Sequence, residues 1–367
     1  MQNDDNFLAV DLFAGAGGLS LGLERNGFSV VLANELEVDF AETYKSNHPN
    51  GKIVQGDVAK MDFGKELTEL GLVRGDVDVV SGGPPCQGFS SVGKKMFDDP
   101  RNQLFKQFLR CVEEVGPKAV FFENVSGFKK MYKGTLFNEL IEALTNLGYK
   151  TKSAVLDAAD YGLPQRRLRT IVVAWNVQGE FHFPEPTHGI GRKAPVTTLE
   201  DALSDLPTLG VGEVKKRYAS APRNEFQRSM RTNGNVLTEH NCTKYGRHMQ
   251  KVLKLIPDGG SVMDLPEKLR PKSYFKNTYA RLLAREPAPT MTRNFGTPSS
   301  SRCIHPHQNR ALSTREGARL QGFPDDYLFC GGKGRKNLQI GNAVPPLLGE
   351  VVAREIVKLL KRTDTGA

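Results

Sequence analysis

The stretch FLAVDLFAGAGGLSLG (residues 7–22) combines an apolar run, a glycine-rich turn and a second apolar segment. The run predicts a buried strand, and the segment after the glycines has the spacing of a helix. Gly15, Gly17 and Gly18 therefore lie where a strand turns tightly into a helix and where a ligand can approach the backbone. Such a turn suits NAD, FAD or S-adenosylmethionine, so it predicts a cofactor site without choosing among the three.

Apolar runs recur along the first 180 residues and alternate with segments of helical spacing that end near glycine. This alternation predicts an α/β fold with a doubly wound, mainly parallel sheet and with functional loops at the carboxyl ends of the strands. The predicted strands after 7–13 are SVVLANE (29–35), VDVVSGG (77–83), KAVFFEN (118–124) and TIVVAW (170–175). The predicted helices are LSLGLERNG (19–27), NQLFKQFLRCVEEVG (102–116), LFNELIEALTNLGY (136–149) and PPLLGEVVAREIVKLLKR (345–362).

Beyond residue 184 the regular pattern gives way to segments rich in proline, glycine and basic residues. Residues 185–335 carry 25 Lys and Arg against 14 Asp and Glu, an excess of 11, whereas the rest of the chain carries 25 against 27. The net charge of +9 is therefore concentrated in one part of the chain. A basic block of this size favours a polyanionic partner, and nucleic acid is the first candidate.

Composition also excludes several classes of protein. The five cysteines form no C-x-x-C pair, which indicates a reducing compartment without structural zinc or a disulfide framework. His305 and His307 form an H-x-H pair without a third ligand nearby, so no metal site is expected. The acidic start of the chain differs from a signal peptide, and no apolar stretch is long enough for a membrane helix. The expected location is therefore the cytoplasm.

Two carboxylates follow predicted strands near the glycine turn. Glu35 ends the second strand, where its carboxylate can accept both hydroxyls of a ribose; this excludes a 2′-phosphate but does not separate NAD from S-adenosylmethionine. Asp57, in QGDV (55–58), can accept a hydrogen bond from an adenine amino group. Either residue alone is explained as well by a strand end or a helix cap. Their order along one sheet favours the cofactor interpretation.

The segment GGPPCQGFS (82–90) follows the strand predicted at 77–83. Its glycines and prolines predict a rigid, exposed loop around Cys86 at the functional edge of the sheet. A free thiol is mostly protonated at neutral pH, so a nucleophilic cysteine needs a lowered pKa or a proton acceptor. Cys111 and Cys330, by contrast, are expected to be small apolar residues of the core.

Methylation of cytosine at carbon 5 needs a cysteine of this kind. Carbon 5 is too weakly nucleophilic to take a methyl group from a sulfonium, whereas thiolate addition at carbon 6 turns the ring into a reactive enamine. The addition is easier when N3 receives a proton or a hydrogen bond from a carboxylic acid. Glu123, in FFENV (121–125), is the candidate, since apolar neighbours can raise the pKa of its carboxyl group. An ion pair at the end of the strand is the alternative.

The segment QRRLR (165–169) carries three arginines in five residues and leads into the strand predicted at 170–175. Such a cluster can be a solvated surface patch. In an extended chain, however, Arg167 and Arg169 point to the same face. One or both can then bind the carbonyl oxygen of a base or the adjacent phosphate.

Together these segments resemble the motifs of the cytosine-5 DNA methyltransferase family, of the type found in prokaryotic modification enzymes. The motifs occur in the family's order and leave residues 185–300 as the divergent part of the chain. They are DLFAGAGGLSLG (11–22), NELE (34–37), GDV (56–58), GGPPCQGFS (82–90), ENV (123–125), QRRLR (165–169), RALSTREGARLQGFPDDY (310–327) and GNAVPP (341–346).

The resemblance implies a Rossmann-like, S-adenosylmethionine-dependent catalytic domain at 1–184 and 336–367. It implies a smaller, irregular, basic target-recognition domain at 185–335, which includes the segment REGARLQGFPDDY (315–327) that organises it. The reaction implied is methyl transfer to carbon 5 of a cytosine that is flipped out of a specific duplex DNA sequence. No metal is implied.

The resemblance also implies S-adenosylmethionine as the cofactor. Phe13 is expected to stack on its adenine, Glu35 to hold the ribose and Asp57 to bind the adenine amino group. Leu36 stands where some relatives have an aromatic residue, which weakens stacking on the base without changing the assignment. The full set implied for cofactor binding is Phe13, Gly15, Gly17, Gly18, Leu19, Glu35, Leu36, Asp57, Val58, Pro84, Leu104, Asn342 and Val344.

In the catalytic centre, the resemblance implies Cys86 as nucleophile and Glu123 as the acid at N3 of the base. Arg169 is implied near the carbonyl oxygen of the target cytosine, with Arg167 in support.

The implied DNA contacts are few, because most of the recognition domain is divergent. They are Gln87, Ser90 and Thr290, with Ser90 at a phosphate beside the flipped nucleotide. The partner implied is double-stranded DNA, with a cognate restriction endonuclease as a second possible partner, and the chain is expected to act as a monomer.

Four alternatives stay open at this stage. A cytosine-5 methyltransferase acting on transfer RNA has the same fold and motif set, although a sizeable basic domain favours DNA. A catalytically silent DNA-binding regulator is disfavoured because both Cys86 and Glu123 are present. An amino-group methyltransferase needs no covalent adduct and carries an aromatic residue after the prolines. A nicotinamide-dependent dehydrogenase gives no reason for PPCQ (84–87).

Overall fold

The computed structural model describes residues 7–85, 104–232, 234, 236–300 and 302–364. The chain divides into two compact units. The first comprises Met1–Asp157, Leu168–Glu185 and Val344–Ala367, and the second comprises Ala158–Arg167 and Pro186–Ala343. Compared with the predicted domains, the chain returns to the first unit at Val344 instead of 336, and residues 158–167 belong to the second unit. The functional division between cofactor and DNA binding stays a prediction.

Within the described residues, the first unit contains a sheet of seven strands. They are β1 Phe7–Leu12, β2 Phe28–Glu35, β3 Lys52–Gln55, β4 Val79–Gly82, β5 Ala119–Val125, β6 Lys150–Asp157 and β7 Leu168–Trp175. Their order is β3-β2-β1-β4-β5-β7-β6. Strands β1 to β5 are parallel, and β7 is antiparallel to both β5 and β6. The predicted strands and the doubly wound, mainly parallel α/β fold are confirmed.

Strand β6 is not predicted by the sequence pattern. It lies at the edge of the sheet beside β7 and is mostly half-buried or exposed. An edge strand tolerates charged side chains such as Lys150 and Lys152, which interrupt the apolar pattern on which the prediction depends.

Strands β1 and β4 lie side by side although β2 and β3 separate them in sequence. The strand order therefore reverses at β1, and ligands of open α/β sheets bind at the carboxyl ends of strands next to such a reversal. Leu12, the last residue of β1, is in register with Gly82, the last residue of β4. The glycine turn and the chain that leads to Cys86 thus leave the sheet next to each other.

Helices of the first unit pack on this sheet. They are α1 Gly18–Glu24, α2 Val38–Asn47, α3 Phe63–Glu69, α4 Leu104–Val115, α5 Thr135–Asn146 and α11 Pro346–Asp364. The predicted helices around α1, α4, α5 and α11 are confirmed. Cys111 of α4 is fully buried in the core, and this burial raises the pKa of its thiol well above the usual value, as expected for an apolar residue. Cys330 is only half-buried.

The close packing of α1 against α11 depends on a glycine. A Cβ atom on Gly22 would lie 2.6 Å from both the carbonyl oxygen of Pro346 and the amide nitrogen of Glu350. Real Cβ atoms do not approach backbone this closely, so any larger residue would separate the two helices. The C-terminal segment is therefore part of the first unit's core, as its apolar spacing predicts.

The second unit has shorter helices and long irregular connections. Its helices are α6 Leu199–Leu203, α7 Glu225–Met230, α8 Arg247–Leu255, α9 Thr314–Gln321 and α10 Lys333–Asn342. All eight residues of α9 are buried, and Ser313 with Glu316 forms a capping box at its start. This unit is smaller and less regular than the first, as predicted.

Buried ion pairs organise the second unit around α9. Both guanidinium Nη atoms of Arg310 donate to the carboxylate of Glu316, at 2.7 and 2.6 Å. Burial alone would raise the pKa of Glu316, but Arg310 holds it well below the usual range. Arg319 likewise donates to Asp205 and Asp325. The segment REGARLQGFPDDY therefore acts as internal scaffolding of this unit.

Candidate active site

The glycine turn between β1 and α1 needs a backbone conformation that favours glycine. Gly15 has φ of +58° and Gly17 has φ of +84°. Phe13 has φ of +56°, which is uncommon for a residue with a side chain and strains the backbone. A Cβ on Gly15 would meet no atom within 4 Å. The turn therefore encloses open space beside a strained backbone, which suits a bound ligand.

Glu35, at the end of β2, fixes this turn. Its Oε2 accepts a hydrogen bond from the Gly15 N–H at 2.8 Å, and its Oε1 accepts one from the Glu37 N–H at 2.9 Å. Burial raises the pKa of Glu35, although these backbone donors partly offset the effect. These contacts are those of a residue that ends a strand, which is the simpler interpretation of Glu35; a ribose contact is the other. The carboxylate also lies against the turn that is expected to hold the cofactor.

Asp57, Val58 and Leu36 lie at the ends of β2 and β3. The carboxylate of Asp57 is exposed and accepts a hydrogen bond from the Ala59 N–H at 3.0 Å, so it caps the short 3-10 turn that follows. Val58 is buried and packs in the core, whereas 59% of Leu36 is exposed. An exposed leucine at a strand end leaves apolar surface for a planar ring, and this agrees with its predicted role without testing it.

The other predicted cofactor residues are distributed over both units. Leu19 is buried in α1, and a Cβ on Gly349 of α11 would lie 3.2 Å from its Cδ1. Leu104 begins α4 and packs against the core. Val344 is half-buried in the first unit, whereas Asn342 ends α10 of the second unit and is exposed. Their part in cofactor binding stays a prediction.

The end of β4 packs tightly against its neighbours. A Cβ on Gly82 would lie 2.7 Å from the carbonyl oxygen of Leu12. It would also lie 3.1 Å from the ring of Phe108, which is at the limit of close packing. A Cβ on Gly83 would lie 2.8 Å from Oε2 of Glu123. The glycines therefore let the chain pass close to β1 and Glu123 on its way to Cys86. The predicted residues Cys86, Gln87 and Ser90 lie outside the residues that the structure describes.

Glu123 and Arg169 form an ion pair across β5 and β7. The Nε of Arg169 lies 2.6 Å from Oε1 of Glu123, and only 9% of the Glu123 side chain and 12% of the Arg169 side chain are exposed. The antiparallel register places Arg169 opposite Val125, so it is the diagonal neighbour of Glu123. The ion pair that is the alternative explanation for Glu123 is therefore present. Its partner is itself one of the predicted catalytic residues.

Asn124, next to Glu123, has a positioning role that the sequence analysis does not assign. Its side-chain amide donates to the carbonyl oxygen of Pro84 at 3.0 Å, and its Oδ1 accepts from the Val125 N–H at 2.9 Å. The residue is buried. It therefore ties the end of β5 to the segment that leads to Cys86. The sequence does give a signal for this role: Asn124 directly follows a catalytic candidate in an apolar strand, and a buried polar side chain needs a hydrogen-bond partner.

Asp11, inside β1, is a second residue without a predicted role. It is fully buried and accepts hydrogen bonds from the Ser20 hydroxyl at 2.6 Å and from the Ser81 hydroxyl at 2.8 Å. Ser20 belongs to α1 and Ser81 to β4, so one carboxylate connects the three elements around the glycine turn. Burial raises the pKa of Asp11 to about 6, although both serines counteract it.

Arg167 and Thr290 belong to the second unit. The buried guanidinium of Arg167 donates to the carbonyl oxygens of Met291, Gly341 and Ala343, at 3.2, 2.9 and 3.0 Å. Thr290 is exposed, and its hydroxyl donates to the carbonyl oxygen of Arg166 at 2.7 Å. These contacts join segments of that unit. A contact of either residue with a base or a phosphate stays a prediction.

His305 and His307 make contacts within the second unit. The buried His305 ring accepts from the His307 N–H at 3.1 Å, and burial lowers its pKa to about 3. His307 pairs with Glu200 at 2.8 Å. No group of three or more His, Cys, Asp or Glu that could hold a metal ion occurs within the described ranges. No helix in the described part of the chain is long and apolar enough to cross a membrane.

Known proteins resemble this chain over nearly its whole length. The model of the family described as C-5 cytosine-specific DNA methylase matches residues 7–358. The chain is 36% identical over 353 residues to the type II methyltransferase M1.HphI of Haemophilus parahaemolyticus, a match that covers 95% of this chain and 86% of the relative. It is 33% identical over 422 residues to the type II methyltransferase M.AgeI of Thalassovita gelatinovora, covering 95% and 98%.

Solved structures show the same fold. A prophage-encoded protein from E. coli, described as a DNA modification methyltransferase, has a TM-score of 0.78 and 27% identity, covering 97% of this chain and 99% of its own. The Entamoeba histolytica methyltransferase EhMeth has a TM-score of 0.62 at 15% identity and shows the fold alone. The chain therefore belongs to the C-5 cytosine-specific DNA methylase family, as a DNA cytosine-5 methyltransferase of the type II modification kind.

Proposed function

We propose that this methyltransferase uses S-adenosylmethionine and forms a transient bond between Cys86 and carbon 6 of a cytosine flipped out of a specific duplex DNA sequence. The observation that carries the proposal is the order of side chains along one edge of the sheet. The glycine turn follows β1, the chain toward Cys86 follows β4, and Glu123 lies near the end of β5. Because these strands are neighbours, cofactor, nucleophile and acid can meet at one place.

The residues around the glycine turn fit S-adenosylmethionine. Open space beside Gly15, with its left-handed backbone, can accept the methionine portion. Each carboxylate oxygen of Glu35 already accepts one backbone N–H and can accept a ribose hydroxyl as well. Exposed Leu36 and the carboxylate of Asp57 would contact the adenine. When bound, S-adenosylmethionine supplies an electrophilic methyl group.

The chemistry at the base begins with Cys86. Its thiolate adds to carbon 6, and the electrons of the 5,6 double bond make carbon 5 nucleophilic. With S-adenosylmethionine bound, carbon 5 would take the methyl group as the methyl carbon–sulfur bond breaks, which would leave a neutral thioether. A proton acceptor then removes the proton from carbon 5. Those electrons reform the double bond and expel the thiolate, so the enzyme is regenerated.

Glu123 and Arg169 would act on the opposite edge of the ring. With Arg169 on Oε1, we assign the donated proton to Oε2, which lies on the side of Gly83 and the chain toward Cys86. From there it can be given to N3 of the base. Nη2 of Arg169 makes no hydrogen bond with the part of the chain that the structure describes, so it can donate to the cytosine carbonyl oxygen.

The second unit is proposed to recognise DNA. Most of the chain's excess positive charge lies in residues 185–335, which favours binding to phosphates and a salt-sensitive affinity. We assign Thr290 to this interface, with Gln87 and Ser90 beside the flipped nucleotide. Arg167 supports Arg169 indirectly, because its three carbonyl contacts fix the segment that precedes β7.

The relatives suggest a partner of a different kind. Several of them are named as type II methyltransferases. We therefore propose that a restriction endonuclease with the same recognition sequence accompanies this enzyme. Cleavage of unmodified DNA, but not of DNA from cells that express the enzyme, would identify such an endonuclease.

The central experiment is expression in a bacterial host that lacks cytosine methylation. Mass spectrometry of the extracted DNA measures 5-methylcytosine, and bisulfite sequencing gives its sequence context. The intact enzyme is expected to produce the modified base at one short sequence. The Cys86→Ala variant is expected to produce none, and Cys330→Ala, which changes a half-buried cysteine of the second unit, serves as the matched control.

The outcomes separate the alternatives. Modified DNA in the presence of Cys86→Ala would contradict the proposed nucleophile. A soluble enzyme that binds S-adenosylmethionine but leaves DNA unmodified would contradict the proposed substrate, and total transfer RNA from the same cells would then be analysed for 5-methylcytosine.

A further inference from the structure

A small apolar cluster in the second unit joins α8 to the segment that follows it. Its buried members are Val252, Ile256, Val262, Leu265 and Tyr279. Because both segments share one core, residues 247–279 fold together, and we call them the α8 module.

Arg281 fixes the α8 module to the rest of the second unit. Its buried guanidinium donates to the carbonyl oxygens of Leu253 and Ile256, at 3.0 and 3.1 Å, at the end of α8. The same group donates to the carbonyl oxygen of His305 at 2.9 Å and to the side chain of Asn309 at 2.7 Å. The surface of the module is therefore presented in a defined position within this unit.

Six cationic side chains of the module are exposed and have no ion-pair partner among the residues that the structure describes. The module carries seven Lys and Arg against three Asp and Glu. Three of the cations recur at helical spacing on the face of α8 opposite buried Val252 and Leu253. The six are Arg247, Lys251, Lys254, Lys268, Lys272 and Lys276.

An exposed aromatic side chain lies next to Lys276 along the chain and three residues from Lys272. Phe275 is 69% exposed, and Tyr274 beside it is 38% exposed. Two hydrogen bonds close the turn that carries Phe275, because its N–H donates to the Thr278 hydroxyl at 3.1 Å and its carbonyl accepts from the Thr278 N–H at 2.9 Å. Thr278 is buried, and its carbonyl accepts from the Val262 N–H of the cluster at 2.8 Å.

We propose that the α8 module binds duplex DNA, with the six cations on phosphates and Phe275 against the bases. This inference rests on the proposed function and names the element that reads DNA. Unpaired cations attract phosphates, and an exposed ring gives apolar contact to base edges or to a partly opened base step. A protein partner fits less well, because lysine is depleted at the centres of protein interfaces.

The phosphate contacts are tested by the salt dependence of binding. The probe is a duplex oligonucleotide that carries the sequence methylated by the wild type, and fluorescence anisotropy measures the dissociation constant at several salt concentrations. The triple variant Lys268→Gln, Lys272→Gln, Lys276→Gln is expected to reduce the slope of log K against log salt by about 2 to 3. The control triple Lys60→Gln, Lys106→Gln, Lys130→Gln removes exposed charges of the first unit and is expected to keep the slope.

The base contact is tested by Phe275→Ala. Loss of the ring is expected to weaken binding to the specific duplex by about fivefold or more, with little effect on a scrambled duplex, so the specificity ratio falls. Val73→Ala removes an apolar side chain of similar exposure, 66% against 69%, from the first unit and is expected to change neither value.

Two results would overturn the inference. One is an unchanged salt slope in the lysine triple, and the other is an unchanged specificity ratio in Phe275→Ala, while the wild type methylates DNA; the module would then face another partner, such as a protein. A wild type that forms no 5-methylcytosine in DNA contradicts the proposed function itself, so the two failures are distinguishable. Thermal unfolding of each variant shows that lost binding is not lost folding.

Discussion

Arg169 holds Glu123 through a contact of 2.6 Å between Nε and Oε1, across neighbouring antiparallel strands and nearly out of solvent. This ion pair joins two residues that the sequence predicts as separate candidates. An arginine on one carboxylate oxygen orients the other oxygen, and that orientation is what a proton donor to a ring nitrogen needs.

Replacing Arg169 is the first test of this ion pair. Arg169→Ala is expected to lower kcat by about a hundredfold or more, because the carboxyl group loses its orientation and the base loses a donor at its carbonyl oxygen. Affinity for S-adenosylmethionine should stay unchanged, since the glycine turn is not altered. Transfer of a tritiated methyl group to DNA and calorimetric titration of the cofactor measure the two quantities.

Arg166→Ala is the matched control for Arg169. Arg166 lies in the same segment, but its contact with Asp160 at 3.4 Å is at the surface. Its replacement is expected to leave kcat within about twofold, since exposed pairs contribute little. Equal losses of kcat in both variants would contradict the role proposed for Arg169.

Asn124 is predicted to position the chain that leads to Cys86. Asn124→Asp keeps the size of the side chain but cannot donate to the carbonyl oxygen of Pro84. We expect kcat to fall by about tenfold, as for a lost buried hydrogen bond, with unchanged cofactor affinity. Asn138→Asp, on the exposed surface of α5, is the control. A variant whose steady-state kinetics match the wild type would show that this hydrogen bond does not contribute.

Gly15 is predicted to matter for the cofactor more than for folding. Gly15→Ala places a Cβ in the open space of the turn and strains a left-handed backbone by about 1–2 kcal/mol. Gly71→Ala causes the same strain at φ of +73°, with no atom near its Cβ, on an exposed turn. Urea unfolding should give similar losses for both variants.

Only Gly15→Ala is expected to weaken S-adenosylmethionine binding, by about tenfold or more, because its new methyl group occupies the cofactor's space. Calorimetric titration of both variants measures this difference. Equal cofactor affinities in the two variants would show that the cofactor lies elsewhere.

Asp11 predicts a dependence of stability on pH. Its pKa is raised from the ordinary value of 3.8 to about 6, chiefly by burial. The folded protein therefore holds this proton more tightly than the unfolded chain does. The extra free energy of unfolding, about 3 kcal/mol, is fully present below about pH 4 and is lost as the pH rises through about 6. Tyr44, His48 and Glu24 are the other titratable groups near this carboxylate.

Asp11→Asn should remove the contribution of Asp11 to the pH dependence of the free energy of unfolding. Urea unfolding of wild type and variant between pH 4 and pH 7.5 gives the difference in stability, in which the titration of other groups cancels. We expect the difference to change most steeply between pH 4 and pH 6. A difference that is constant over this range would mean that Asp11 titrates as it does in the unfolded chain.

Much of the first unit follows from local sequence. Apolar runs that end at Leu12, Gly82 and Val125 are strands because they are buried on both faces, and the glycines after them mark turns. Edge strand β6 is different, because one of its edges and much of its surface face solvent. Lys150 and Lys152 are equally compatible with an edge strand and with a loop, so the sequence pattern does not distinguish the two.

The site was less predictable than the fold, because its geometry depends on pairings between distant segments. Local sequence predicts Glu123 and Arg169 as separate candidates, but only the antiparallel register of β5 and β7 makes them a pair. Arg167 donates to carbonyl oxygens of the second unit, whereas Arg169 pairs with Glu123, and no local pattern predicts these separate partners. The partners of Asp11 come from a helix and a strand that no local pattern connects.

The central claim is the bond between Cys86 and carbon 6 of the target cytosine. Its most direct test is a duplex that carries the methylated sequence with 5-fluorocytosine at the target position, since fluorine cannot leave carbon 5 as a proton does. With S-adenosylmethionine, the wild type is expected to form a complex that survives denaturing electrophoresis and whose cross-linked peptide contains Cys86. Cys86→Ala is expected to form none. A wild type that methylates ordinary DNA but forms no such complex, or a complex that persists in Cys86→Ala, would contradict the account.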